Sequence, residues 1–454
     1  MSSGKSKTNR HRRFLQAGLT LLLALLILEG LLRKVVPPLS IPLYFAKYLL
    51  TLLLGLAAVS KKLPRAASVI LIFQTVCVVM VIPCFLNTLL KDPVLGVFGM
   101  MQYCLFPFVG LVVCAAFLQV GRNHLLSFLR FLAFSLLVTV VVALIQNHLP
   151  SSHWLNQSID GTDLNAFSAG GRLRVSSTFA FVAQYCIYLN AMAAILIAHI
   201  ALNYRKKSPL FWLSATALVI AFLVGTFITG SRSAVLGSLA VIAGGISAAL
   251  FTRGRRMVGL VFALMLIATA GYLVTHTLLP ESFSAYEART QGGASDHSMG
   301  GMTDRLGKTF FGWTSWYNVV PFLGNGIGIE SNGSEKFSAY AKMEKEDWGW
   351  MESDQSAVLF EGGIYLMLLW YGFRFFIILY SGTCLLGIRD PKLALAASFS
   401  WGFVAATGIM ANLSTQAPAA IWWWLNIGLI LTYRDFDRSA WKTPPSKHLP
   451  WKKS

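Results

Sequence analysis

Long apolar segments alternate with short polar ones along almost the whole chain. A helix needs about 20 apolar residues to cross the hydrocarbon core of a bilayer. The predicted spans are 14–32, 41–60, 66–86, 94–118, 124–147, 178–202, 208–228, 233–251, 257–279, 356–386, 393–411 and 418–433. The fold expected is an all-α polytopic membrane protein with about 12 transmembrane helices and one large loop.

The spans from 356 and from 418 differ from the others in length. The first is long, so its opening turns are expected to stand outside the bilayer. The second is short, and the run Trp422-Trp423-Trp424 is expected to anchor it at the membrane–water interface.

The composition excludes a soluble protein. Hydrophobic residues make up 55% of the chain and charged residues only 13%, about half the charged share of a typical globular domain. The formal net charge of +19 would suggest nucleic acid in a soluble protein. In so apolar a chain it instead shows which side of the membrane holds the basic loops. The expected partner is therefore the lipid bilayer, and no nucleic acid.

The distribution of the basic residues predicts the orientation. Twelve crossings put both termini on one side, and the short segments of that side hold 23 of the 38 Lys and Arg residues. The opposite side holds 12, half of them in the large loop. Cytoplasmic loops carry the excess of Lys and Arg, so both termini are expected to be cytoplasmic. The basic-then-apolar N-terminus resembles a signal peptide, but no small-residue cleavage site follows, so it is interpreted as the first span.

Two segments on the outer side are too long to be turns, 148–177 and 280–355. The domain organisation predicted is therefore a membrane domain of nine spans over 1–279 and a periplasmic loop subdomain over 280–355. The last three spans follow over 356–433, with a cytoplasmic tail over 434–454. Within the large loop, 291–302 is predicted to be a mobile loop, and 335–347 has helical character.

Arginines on the outer side are notable because positive residues are depleted there. Arg172 and Arg174 precede the sixth span, Arg232 lies at the outer start of the eighth, and Arg305 belongs to the large loop. Ser231 is a possible N-cap of the eighth span, where free N–H groups and the helix dipole already favour an anion. Arginine's planar fork suits bidentate contact with phosphate. The alternative is that each arginine reaches lipid headgroups or pairs with an acid.

The second group of interest lies where the large loop re-enters the membrane, in ESDQSAVLFEGGIYL (352–366). Asp354 and Glu361 are seven residues apart, so they share a face of a continuous helix. Gly362-Gly363 would allow close helix packing or a kink. A carboxylate at the mouth of a membrane cavity can act as general base. The alternatives are that Asp354 only caps the helix and that Glu361 makes a structural salt bridge or hydrogen bond.

Other chemistry has weaker support. Glu352-x-Asp354 has the spacing of a metal-binding carboxylate pair, but no third ligand is near in sequence, and His297 lies in a flexible segment that is a poor place to hold a base. No hydrolase, NTPase or zinc-enzyme motif is present. The six cysteines all fall inside spans without metal-ligand spacing, so they are interpreted as small buried side chains. They are Cys77, Cys84, Cys104, Cys114, Cys186 and Cys384.

The order of these segments resembles a family. GRLRVSSTF (171–179) precedes a span, TGSRSAVLG (229–237) opens a later one, and the large loop carries TDRL (303–306) and FGWTSWYNVVPFLGNGIGIESN (311–332) before the re-entry segment. Over roughly residues 165–375, the chain is similar to the O-antigen ligase and O-antigen polymerase superfamily of bacterial envelope glycan enzymes.

The resemblance implies a metal-independent, GT-C-like glycosyltransferase of the bacterial inner membrane that needs no cofactor. The donor would be an undecaprenyl-pyrophosphate-linked oligosaccharide, and the acceptor a glycan or a lipid-linked molecule at the periplasmic face. By the family pattern, Arg172 or Arg174, Arg232 and Arg305 would hold the pyrophosphate. Asp354 would activate the acceptor hydroxyl, with Glu361 as the second candidate catalytic carboxylate.

One departure from the family bears on the reaction. Its ligases usually have a His-Asn pair at the re-entry segment, where this chain has Asp354-Gln355. The difference favours a polymerase or another exopolysaccharide-type member. Two alternatives from other classes are a transporter or flippase for lipid-linked sugars, and a non-enzymatic scaffold for envelope assembly.

Overall fold

The computed structural model describes residues 2–89, 92–118, 122–159, 173–203, 208–253, 273, 276–277, 307, 309–349, 351 and 353–442. The described part of the chain is helical and contains no strand. Its helices are α1 (Ser2–Val35), α2 (Ser40–Val59), α3 (Arg65–Leu89), α4 (Pro93–Cys104), α5 (Pro107–Phe117), α6 (Arg122–His148), α7 (Val182–Asn203), α8 (Pro209–Ile228), α9 (Arg232–Arg253), α10 (Ala339–Trp348), α11 (Asp354–Leu386), α12 (Pro391–Met410) and α13 (Ala417–Lys442). Short 3₁₀ turns lie at Pro37–Leu39, Trp154–Asn156, Gly312–Ser315 and Ser334–Lys336.

The architecture is that of a polytopic helical membrane protein. Within the described ranges, nine helices are long and apolar enough to cross a membrane, or up to 10 if the bent pair α4–α5 is one span. The predicted span 94–118 corresponds to this pair, whose two helices meet at 44°. Of the predicted span 257–279, only residues 273, 276 and 277 are described, and they are helical; the rest of the span lies outside the described residues. Helix α10 confirms the helical character predicted around 335–347.

Helix α13 is central rather than peripheral. Trp422, Trp423 and Trp424 are at most 2% exposed, and Trp423 Nε1 donates to the Val404 carbonyl of α12 at 2.9 Å. The expectation that this run is an interfacial anchor is wrong, because the rings fill the space between helices. All six cysteines lie in the described part of the chain and are buried thiols outside any disulfide, which confirms their interpretation as small buried side chains.

Helices α9 and α12 cross with their backbones nearly in contact. A Cβ built on Gly244 would lie 3.2 Å from the Gly402 Cα, and one on Gly402 would overlap the main chain of α9. Small residues allow this approach between membrane helices, where close packing replaces the hydrophobic effect as the driving force. The crossing fixes α9 against the C-terminal half of the bundle.

Helix α11 is broken at Gly363, as the Gly362-Gly363 pair predicted. Gly363 has φ 65° and ψ −171°, a conformation that favours glycine. In a straight helix, Asp354 and Arg374 would be about 30 Å apart along the axis, yet their side chains form an ion pair. The part of α11 before Gly363 therefore folds back along the part that follows it.

A glycine-rich segment, 321–332, covers this break. Asn325 N donates to the Phe360 carbonyl at 2.8 Å, and Gly326 N to the Glu361 carbonyl at 3.1 Å. The helix is interrupted at Gly363, so these two carbonyls have no N–H donor within α11. The glycine-rich segment supplies the missing donors. We call residues 321–332 the strap.

Candidate functional site

A cavity of about 330 Å³ lies at the end of the bundle where α9 begins. This volume is within the range of small-molecule sites, about 300–1,000 Å³. Its polar lining residues are Arg174, Asn190, Ser231, Arg232, Ser233, Thr309, Thr407, Asn412 and Gln416. Its less polar lining residues are Ala183, Cys186, Ile187, Leu236, Gly237, Val241, Ala406, Met410 and Ala411. The cavity thus combines hydrogen-bonding side chains with an apolar wall from α7, α9 and α12.

Two of the arginines predicted to bind an anion line this cavity together. Arg232 is the first residue of α9 and is 9% exposed. Arg174 donates from Nη2 to the Ser231 hydroxyl at 3.0 Å, and Ser231 holds the N-cap position of α9, as predicted. The N–H groups at a helix N-terminus carry partial positive charge. Two guanidinium groups and a helix terminus therefore act on the same space.

The chain just after Arg174 is embedded in the bundle. Residues 175–179 are each at most 3% exposed. Ser177 N donates to Gln146 Oε1 on α6 at 2.7 Å, and the Thr178 hydroxyl donates to a main-chain carbonyl of α1 at 2.5 Å. The predicted sixth span therefore begins at Val182 rather than at 178. This anchoring holds Arg174 at the cavity edge, because its main chain continues into a buried segment that is hydrogen-bonded to α1 and α6.

The far wall of the cavity is the turn between α12 and α13. Asn412 and Gln416 of this turn line the cavity together with Ala411. Leu413 and Ser414, by contrast, are not among the lining residues and are buried, at 2% and 0% exposure. The turn 411–416 is thus a thin partition with one polar face toward the arginines and one face toward α11.

Asp354 lies behind this partition and is not among the residues that line the cavity. Its Oδ1 accepts hydrogen bonds from Ser414 N at 3.2 Å and Ser414 Oγ at 2.6 Å. Its Oδ2 accepts from the Tyr371 hydroxyl at 2.7 Å and from Arg374 Nη1. Ser353, not Asp354, is the N-cap of α11. The role of general base stays a prediction for a carboxylate that is 3% exposed.

Glu361, in the same part of α11 as Asp354, is fully buried. Its Oε2 accepts from the Tyr103 hydroxyl at 2.7 Å, and its Oε1 accepts from Glu330 N of the strap at 2.8 Å. The hydrogen-bonding interpretation of this residue is therefore confirmed, with neutral donors instead of an arginine. Its predicted catalytic role stays a prediction.

A second acid of this region, Glu330, is also buried. Its Oε2 accepts from Met351 N at 3.1 Å. Within the described part of the chain, its Oε1 has no hydrogen-bond partner. Burial raises the pKa of Glu330 to about 7, since an ionised carboxylate is disfavoured away from water.

The remaining predicted residues lie outside the described ranges. Arg172 and Arg305 are the two other proposed pyrophosphate ligands, Glu352 belongs to the possible metal pair, and His297 is the alternative base. Within the ranges that are described, no three His, Cys, Asp or Glu side chains are grouped to hold a metal ion.

Sequence reasoning missed the polar residues that complete the site. Asn190, Asn412 and Gln416 were not singled out, because isolated amides near helix ends have many ordinary uses. Arg374 was also not singled out, although it lies inside the predicted span 356–386. Its signal was available, since a cation inside a span needs an acid, and few acids lie near this membrane boundary.

Comparison with the models of known protein families gave no match. A search of curated proteins likewise found no significant similarity.

Proposed function

We propose that the protein is a glycosyltransferase that transfers or polymerises saccharide from a polyprenyl-pyrophosphate carrier at the periplasmic face of the bacterial inner membrane. The observation that supports this most is the meeting of Arg174 and Arg232 at one cavity beside the α9 N-terminus. These two residues are 58 positions apart in sequence, and each was expected to bind an anion on separate grounds.

The cavity fits the chemistry of such a donor. Pyrophosphate is anionic and already a competent leaving group, so the main requirement is to stabilise the charge that develops as the glycosidic bond breaks. Arginine supplies a permanent charge and paired N–H donors for that purpose. The amides of Asn190, Asn412 and Gln416 add neutral donors for sugar or phosphate oxygens. The apolar wall formed by α7, α9 and α12 suits the first isoprene units of the carrier.

The experiment is to incubate purified protein with undecaprenyl-pyrophosphate-linked repeat units and to resolve the products by length. A ladder indicates a polymerase, and a single adduct on an acceptor indicates a ligase. Absence of any product, with movement of the same lipid across vesicle membranes, would instead support the flippase.

The variant Arg232→Ala tests the site itself. Loss of an electrostatic contact that matters in the transition state costs about 10²–10³ in rate, so transfer by Arg232→Ala is expected to fall by at least about 100-fold. Arg65→Ala is the matched control, because Arg65 is also the first residue of an apolar helix but is exposed and does not line the cavity. Wild-type turnover by Arg232→Ala would contradict the proposal.

A further inference from the structure

The ion pair of Asp354 and Arg374 contacts the same short turn that forms the cavity wall. Arg374 Nη2 donates to the Ala411 carbonyl at 3.1 Å, and Asp354 Oδ1 accepts two hydrogen bonds from Ser414. The first and fourth residues of the turn are therefore tied to α11. Asn412 lies between these two ties, and its neighbour Leu413 is buried.

We propose that the Asp354–Arg374 pair positions the turn 411–416, so that Asn412 and Gln416 face the donor in the cavity. The inference rests on the proposed function, and it assigns Asp354 a different part in it. Asp354 acts on the site through the turn, as a positioning residue, and does not take the proton of the acceptor.

The occupancy of the carboxylate supports this assignment. A carboxylate has about four sites for hydrogen-bond donors, and Asp354 receives four, from Ser414 N, Ser414 Oγ, Tyr371 and Arg374. A general base must be within hydrogen-bond reach of the proton that it removes. Asp354 does not line the cavity, because the turn 411–416 lies between them. The four donors to its carboxylate already occupy the sites that an acceptor hydroxyl would use.

The geometry of the pair supports it as well. Arg374 is 1% exposed, and its guanidinium also lies 4.6 Å from the centre of the Tyr371 ring. A planar cation that is held by a carboxylate, a ring and a main-chain carbonyl has few alternative positions. Because Arg374 and Asp354 are hydrogen-bonded to the turn, the turn is held rigidly as well. A group that orients substrate must be held in one position in this way.

Variants that remove one or both charges of the Asp354–Arg374 pair distinguish a positioning role of Asp354 from a role in proton transfer. Asp354→Asn alone leaves Arg374 buried without its acid, and Arg374→Gln alone leaves Asp354 buried without its cation. The double variant Asp354→Asn/Arg374→Gln has neither charge, but its amides retain donors and acceptors for Ser414 and Ala411. It contains no carboxylate at position 354 and therefore no base there.

The test is donor-dependent transfer by the wild type, both single variants and the double variant, per folded molecule. Each single variant is expected to lose about 10- to 100-fold in kcat/KM, through misplacement of the turn. The double variant is expected to return to within about tenfold of the wild type and to keep its pH profile. A double variant that stays as inactive as Asp354→Asn, a loss of about 10²–10⁴, or that loses the acid limb of the profile, overturns the proposal.

A matched control is the pair Glu29→Gln/Lys47→Gln, which removes the charges of the buried Glu29–Lys47 ion pair between α1 and α2; neither of these residues lines the cavity. Its kcat/KM per folded molecule is expected to equal that of the wild type. An equal loss in this control would show that any buried charge change disturbs the cavity, and it would count against a specific role for Asp354.

If the wild type transfers nothing, the proposed function fails, and the position of the turn is measured directly. In an Asn412→Cys/Cys186→Ala protein, the labelling rate by a water-soluble maleimide reports access to the cavity wall. The Asp354→Asn and Arg374→Gln changes are then expected to alter that rate by about tenfold, and the double change to restore it. Identical rates in all four proteins would overturn the positioning role independently of any enzymatic activity.

Discussion

Two buried ion pairs in this protein have similar chemistry and different neighbours. Lys47 Nζ of α2 lies 2.8 Å from Glu29 Oε2 of α1, and Arg33 Nη1 lies 3.1 Å from Glu29 Oε1. Asp354 and Arg374 form the second pair, within α11. All the charged partners of the first pair belong to two consecutive helices, whereas the second pair also binds a turn some 40 to 60 residues away in sequence.

The difference shows that the effect of removing a buried charge depends on which parts of the protein the charged side chain contacts. The Glu29 cluster is surrounded by helix and ring, with Lys47 Nζ 3.9 Å from the centre of the Tyr44 ring. Loss of the Glu29 cluster changes how α1 packs on α2. The Asp354–Arg374 pair, in contrast, contacts the turn 411–416, whose other face lines the cavity. Its loss changes the shape of a site.

The largest effect on stability is expected at the first pair. Glu29→Gln leaves Lys47, 1% exposed, without its acid, and breaking a buried pair costs about 3–5 kcal/mol. Thermal unfolding in detergent should show a corresponding fall in Tm. Glu29→Gln/Lys47→Met should recover part of it, because no unpaired lysine remains, whereas Arg33 still lacks its acid. Loss of transfer activity in the folded fraction of Glu29→Gln would contradict the view that only the Asp354–Arg374 pair affects the site.

A smaller effect, which sharpens the comparison, is expected from Gly363→Ala. A Cβ at this position would overlap the Phe322 carbonyl of the strap, and its positive φ adds strain, so the cost is about 3 kcal/mol. Activity per folded molecule should also fall, because the break sets the position of Asp354. Gly372→Ala in the same helix is the control, since a Cβ there meets nothing within 4 Å. Equal stability of the two variants would mean that the strap does not hold the fold-back.

The smallest effect concerns Glu330, which is buried in the strap. Its pKa is raised from 4.5 to about 7 by burial. The folded protein therefore binds this proton more tightly than the unfolded chain, and the contribution to stability is complete below pH 4.5. It declines as the pH rises toward 7 and is lost above that, a change of at most about 3 kcal/mol.

Glu330→Gln should remove this pH dependence and raise Tm at pH 8 relative to the wild type. Glu346→Gln on α10 is the control, because the Glu346 side chain is 68% exposed and should leave the dependence unchanged. A wild-type Tm that is flat between pH 5 and pH 8 would contradict the raised pKa.

The membrane-length helices of the described residues were predictable because each is a long apolar segment bounded by polar residues. The start of α9 at Arg232 followed from Ser231 and the TGSRS turn, where local chemistry decides the structure. The Trp422-Trp423-Trp424 run was misread because tryptophan suits both a membrane interface and a tightly packed interior. Hydropathy does not separate these two environments.

The Asp354–Arg374 pair and the turn 411–416 were not predictable from local pattern. Helical periodicity places residues 20 positions apart far from each other, and only the break at Gly363 reverses that. The sequence ANLSTQ of the turn resembles an ordinary polar connection. Its role depends on contacts with α11, which no spacing within the turn encodes.

The order of synthesis gives the fold-back of α11 a further consequence. Arg174 and Arg232 leave the ribosome long before the turn 411–416 does, and chains generally fold from the N-terminus as they are made. The two arginines and helices α1–α8 can therefore be in place while one wall of the cavity does not yet exist. Only the addition of α12 and of the turn that follows it brings Ser414 to Asp354, so the cavity can close only after the chain up to this turn has been made.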